Sequence, residues 1–222
     1  MNTRRMRSTS WPPLPQRSLR TFLALLVSSA AWGADALPKV VFTKSFPGSV
    51  PAWYSISVLQ SGDAEYREDP KDENPIKFRM NDDDVAQIFE LAGKLDYFKR
   101  KLESPAKVAR MGDKTFHYEK GSESSETTFN YSEDLDARTI TDWFERISET
   151  ERHLIDLQRV VKYDKLGVNA ALLQLEVTFD RKRLIAPAQF LPMLDRVVKN
   201  ESFMHQARQR AATIAEQIRN PK

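Results

Sequence analysis

From about residue 40 to 132, apart from one helical interruption, apolar residues alternate with polar ones, and from Ala137 onward they recur every third or fourth position. This change of period constrains the fold most. Alternation lines the two faces of a strand, whereas a 3.6-residue repeat lines one face of a helix. Strands first and helices last predict an α+β fold. The expected architecture is an antiparallel sheet of about five or six strands packed with one or two helices, followed by a C-terminal helical bundle.

Residues 40–46 are rich in β-branched and aromatic types, and Pro47-Gly48 turns the chain after them. In residues 52–60, Tyr54, Ile56 and Val58 share one face and Ser55 and Ser57 the other. Ser61-Gly62 returns residues 64–67 as a hairpin partner. A charged, Pro-bounded loop leads to "IKFRM", with Ile76, Phe78 and Met80 on one face. "KTFHYEK" and "ETTFNYS" are two further strands, joined through "GSESS". Between them and the first four strands, "NDDDVAQIFELAGKLDYF" is a helix capped by Asn81 or Asp82, with Val85, Ile88, Phe89 and Ala92 on its apolar face.

Beyond Ala137, Ile140, Trp143, Phe144 and Ile147 make one apolar face, and Leu154, Leu157 and Val161 resume it after the polar run "SETERH". The reading is one long helix with an exposed middle bridging two cores; the alternative is two helices with a break near Ser148. Leu166-Gly167 stops it. Val168, Leu172, Leu175 and Phe179 define the next helix, Pro187 opens a short one running to Val198, and Asn200 is expected to cap the last. Leu173, Val177 and Met204 flank the main apolar stripes of their helices. Such width implies burial on a second side, inside the bundle by preference or against a partner otherwise.

The N-terminus reads as a cleaved signal peptide over residues 1–36. Arg4, Arg5, Arg7, Arg17 and Arg20 precede an apolar stretch of about ten residues, too short for a span of about 20. Ala34-Asp35-Ala36 offers a cleavage site. Thr3-Arg4-Arg5 resembles the start of a twin-arginine signal, although Arg7 stands where a large apolar residue is usual. The expected destination is the periplasm or the medium. The whole chain holds 34 basic and 31 acidic residues; the signal segment takes five arginines and one aspartate, leaving 29 and 30, net −1. The basic stretch is therefore an address, and no nucleic-acid partner is expected. No membrane span is expected after cleavage. The expected regions are a sheet-plus-helix domain over 37–147 and a helical region over 148–222.

The chain has no cysteine, which excludes disulfides, thiol catalysis and thiolate metal sites. It lacks G-x-S-x-G and S-x-x-K serine motifs, phosphate loops and H-E-x-x-H spacing. No catalytic set, metal site or cofactor is expected. The most chemically interesting group is His117, which shares a strand face with Thr115 and Glu119; the partner strand is expected to add Thr128 and Asn130. A second candidate is the basic stretch containing Lys99, Arg100 and Lys101, suited to an anionic partner.

Residues 51–147 resemble a group of small exported bacterial domains of unknown function. The resemblance rests on "YSISV", the "SGDAEY" hairpin, a helix ending in "LDYF", the strands "KTFHYEKG" and "TTFNYS", and a helix bearing "WF". Members often carry cysteines just before the first tyrosine, where this chain has Ala52 and Trp53. The resemblance implies fold and export and supplies no activity. The missing catalytic motifs, the wide apolar helix faces and the near-neutral mature charge lead to the expectation of a non-enzymatic binding or assembly module of the bacterial cell envelope, meeting another envelope protein or a second copy through its C-terminal helices. The alternative is an envelope hydrolase using a polar sheet-face site around His117.

Overall fold

Residues that alternate in type alternate in burial. The computed structural model describes residues 37–221; the expected signal segment lies outside them. Strands β1 (Lys39–Ser45), β2 (Trp53–Leu59), β3 (Asp63–Arg67), β4 (Ile76–Arg79), β5 (Asp113–Lys120) and β6 (Glu123–Phe129) form one antiparallel sheet in the order β4-β3-β2-β1-β5-β6. Val40, Phe42, Tyr54, Ile56, Val58, Ala64, Tyr66, Phe116, Tyr118 and Phe129 are buried on one face. The sheet is thus apolar on one side and polar on the other, as an antiparallel sheet covered on one side requires. The β5–β6 hairpin is tighter than the sequence suggests. Lys120 pairs with Glu123, so only Gly121 and Ser122 lie between them, with Gly121 at φ 58. Glycine first in a two-residue turn matches the twist of the flanking strands, and Ser124 and Ser125 belong to the strand instead of the loop.

Helix α1 (Asp82–Lys94) is capped by Asn81, whose Oδ1 accepts the Asp84 N–H at 2.8 Å. After it, Asp96, Tyr97 and Phe98 all take positive φ. Three successive left-handed non-glycine residues are unfavourable by roughly 1–2 kcal/mol each. Packing offsets this: the Phe98 ring is fully buried 4.9 Å from that of Phe116, and Tyr97 lies 4.5 Å from Tyr118.

Helix α2 (Leu135–Tyr163) runs unbroken for 29 residues, through the 147/148 boundary expected between regions. Its first half joins the core of the sheet and α1, and Leu154, Leu157, Val160 and Val161 join a second core. That second core is completed by α3 (Val168–Asp180), α4 (Leu191–Lys199), which follows a 3-10 turn at Pro187–Phe190, and α5 (His205–Arg219). The expected exposed middle of α2 is corrected by the structure. Ser148, Thr150 and Glu151 are buried, the last two because the connection between α3 and α4 folds back over them. Ile185 donates its N–H to Thr150 Oγ1 at 3.0 Å, and Arg183 meets Glu149 at 2.8 Å. The expected Asn200 cap is corrected as well. Asn200 closes the end of α4 and bonds the Ser202 N–H at 2.9 Å, while α5 starts after Met204 with no side-chain cap.

The sheet and α2 meet through aromatic rings: Phe42 lies 5.0 Å from Phe144 and 5.3 Å from Phe116, all three fully buried. Phe42→Ala is expected to cost about 3–5 kcal/mol, read in urea denaturation as a lower midpoint with an unchanged slope.

Candidate functional site

The solvent face of β5 and β6 carries the polar cluster. Register sets Thr115 opposite Thr128, His117 opposite Glu126 and Glu119 opposite Ser124. The Thr115 and Thr128 hydroxyls are 2.9 Å apart. His117 Nε2 lies 2.8 Å from Glu119 Oε1 and 3.5 Å from Ser124 Oγ, and Nδ1 lies 3.4 Å from Glu126 Oε2. Lys39, opposite Glu119 on β1, reaches Glu119 Oε2 at 2.6 Å. The Lys39 ammonium, aided by His117, holds the Glu119 carboxyl below its ordinary range. The face brings together His117, Glu119, Glu126, Ser124 and Lys39; the sequence pattern named the first two.

Asn130 does not join them. It lies past the end of β6, four positions along the strand from the residue opposite His117, or about 13 Å at strand rise. Its amide ties down the preceding loop: Oδ1 accepts the Met111 N–H at 2.7 Å and Nδ2 donates to the Ala109 carbonyl at 3.1 Å. Its backbone N–H donates to Glu103 Oε2 at 2.5 Å. Strand alternation gave Asn130 the correct face but not the position where β6 ends.

The basic stretch is largely neutralised within the fold. Lys99 pairs with Glu123 at 2.8 Å and Arg100 with Asp134 at 2.6 Å. Lys101 is exposed and makes no ion pair among the described residues. Asp134 is the N-cap of α2, its Oδ1 accepting the N–H groups of Asp136 and Ala137 at 2.9 and 3.1 Å. Burial works to raise its carboxyl pKa, but the Ala137 N–H and the Arg100 guanidinium outweigh it and hold the group below its ordinary value.

Two concave surfaces escaped the sequence reading because distant segments build them. A polar cleft of about 660 Å³ lies where the β1–β2 loop meets α2 and α3, lined by Lys44, Tyr54, Ser148, Arg152 and His153 among others. Lys44 is bound to Glu145 at 2.8 Å, and His153 Nε2 lies 2.9 Å from Thr178 Oγ1. Burial lowers the His153 pKa and raises that of Tyr54, so both stay uncharged at neutral pH. A more apolar groove of about 960 Å³ lies between the end of α3 and α5, lined by Phe179, Leu184, Pro187 and Ala212. The outer side of α3 is apolar too. Leu166, just before it, is 77% exposed, Leu173 41% and Val177 36%, with Ala170 exposed between them. The bundle therefore leaves the flanking residues of this stripe uncovered, against the preferred expectation of internal burial; Met204 is likewise exposed.

Among the described residues no group of three or more His, Cys, Asp or Glu side chains is arranged to hold a metal ion. No described helix is long and apolar enough to cross a membrane. Comparison with protein-family models, curated proteins and solved structures gave no match.

Asp134→Ala is expected to lower stability by about 1 kcal/mol at pH 7. Because the folded carboxyl titrates below its ordinary 3.8, its contribution is complete above that value and is lost as the pH falls through the lower folded value. Thermal denaturation of parent and variant should therefore converge in acid.

Proposed function

We propose that this chain is an exported, non-enzymatic binding or assembly module of the bacterial cell envelope. It engages a protein partner, another envelope protein or a second copy, through its C-terminal helices. One observation carries the reading: α3 presents Ala170, Leu173 and Val177 on the side turned away from its own core, with exposed Leu166 just before its start. A helix packed on one side ordinarily keeps its opposite face polar, and contiguous exposed apolar residues mark contact surfaces. The charged candidates weigh less, because Lys99, Arg100 and Glu119 already bind partners within the fold. Export is supported by the arginine-rich start, the apolar stretch and Ala34-Asp35-Ala36.

The test is photo-crosslinking from position 173 in the native envelope, followed by identification of what is captured. A reproducible partner that disappears when Leu166→Glu and Val177→Glu are added to the probe-bearing chain is the expected result. These surface changes should shift stability by no more than about 0.5 kcal/mol each. Absence of any crosslink, to itself included, would remove the reading.

A second reading, an envelope hydrolase, draws on the line Ser124 Oγ, His117 Nε2, His117 Nδ1 and Glu126 Oε2. Its weakness is Glu119, which holds Nε2 at 2.8 Å and competes with the longer serine contact. A general base must have that nitrogen free to take the hydroxyl proton. The reading requires Ser124 to react with a fluorophosphonate probe and His117→Ala to abolish that labelling without lowering the melting temperature. Failure to label removes it.

A further inference from the structure

Glu151 sits in the middle of α2 with no exposure. Its Oε1 accepts from Gln189 Nε2 at 2.8 Å. Its other oxygen, Oε2, is buried without a partner among the described residues, and so is the Gln189 carbonyl oxygen. Turning the amide over does not resolve this, because Gln189 Nε2 also faces the Ile185 carbonyl at 3.5 Å, and reversal would set oxygen against oxygen there. Orphaned buried acceptors are costly and rare. Two on one hydrogen-bonded pair share one remedy. A neutral carboxylic acid donates from one oxygen and accepts at the other, and a carboxamide offers the complementary N–H and C=O.

We propose that Glu151 is held as the neutral acid, its proton on Oε2 donated to Gln189 Oε1, and that this acid–amide ring is a pH-sensitive clasp fastening the 185–190 segment to α2. Deprotonation removes the donated bond and leaves a buried carboxylate facing the amide carbonyl. The fastened segment includes Pro187, and Leu184 directly precedes it; both wall the α3–α5 groove. Opening the clasp therefore changes that wall, whatever occupies the groove.

The electrostatic setting fits a neutral acid. Burial pushes the Glu151 carboxyl up to about 7, opposed by the Gln189 bond. Most of the charges on the surrounding elements are engaged elsewhere or exposed. On α2, Arg146 donates to the carbonyls of Lys182 and Arg183, and Glu149 binds Arg183. Arg152 and His153 line the polar cleft. On the α3–α4 connection, Arg183 is shared between Glu149 and Asp142, and Lys182 is exposed. On α3, Glu176 binds Arg210 of α5; on α4, Asp195 binds Arg219 of α5. Asp84 of α1 bonds Asn81. Arg208 of α5, the helix that packs on the Pro187–Phe190 turn, has its Nε buried with no hydrogen-bond partner among the described residues. None of these forms an ion pair with Glu151 among the described residues.

The folded state binds this proton more tightly than the unfolded chain does. The stabilisation is complete below the ordinary 4.5 and is lost as the pH rises through about 7. The test follows the Glu151 carboxyl carbon and the Gln189 side-chain amide of the intact chain by NMR from about pH 4 to 9. Both signals are expected to titrate together with a midpoint near 7. In parallel, urea denaturation compares the parent with Glu151→Gln, which keeps one donor and one acceptor and has no proton to lose. The parent's unfolding equilibrium constant should rise relative to the variant's by roughly 300-fold across that range. An ionised Glu151 carboxyl at pH 5, or a Gln189 amide that ignores the titration, would overturn the clasp. So would a variant whose stability follows the same pH profile as the parent.

Discussion

The polar middle of α2 must be buried for the two cores to belong to one structure. Thr150 and Glu151 have no exposure, yet each carries polar atoms that water would otherwise satisfy. The chain meets them with the segment after α3. Ile185 donates to Thr150, Gln189 to Glu151, and Arg146 reaches back to the carbonyls of Lys182 and Arg183. Ile185 belongs to the sheet core although it comes from the helical half of the sequence. A helix without a break, closed over at its centre, fixes how the sheet and the bundle sit relative to each other.

Much of the fold was legible because neighbours in sequence decide it. Tyr54, Ile56 and Val58 alternate in burial as they alternate in type, and Asn81 caps α1 as its position before an acidic first turn suggests. What was hidden depends on partners far along the chain. "SETERH" has the composition of a solvated turn, and partners 25 to 38 residues along the chain cover much of it. Asn200 sits where a helix start was expected, but with the chain resuming helix only at His205 it serves the end of α4.

The candidate sites divide the same way. Strand alternation placed His117 and Glu119 on one face, and pairing register supplied Glu126, Ser124 and Lys39, which no single-strand pattern identifies. Asn130 failed because β6 ends one residue before it. The basic stretch looked like an anion site, but Glu123 and Asp134 take up Lys99 and Arg100. Leu173 and Val177 were legible as residues outside the main stripe of α3. A helical wheel gives the width of an apolar face, not what lies against it, and the bundle leaves this one open.

If the buried centre of α2 unites the two cores, its backbone should open only when everything opens. Native-state hydrogen exchange at residues 146–154 tests this directly. The account predicts opening free energies there equal to those of β1 and of the Leu172 turn of α3, all matching global unfolding. Exchange at 146–154 through a smaller opening, with either core still protected, would show that the centre of α2 is a hinge between independent units.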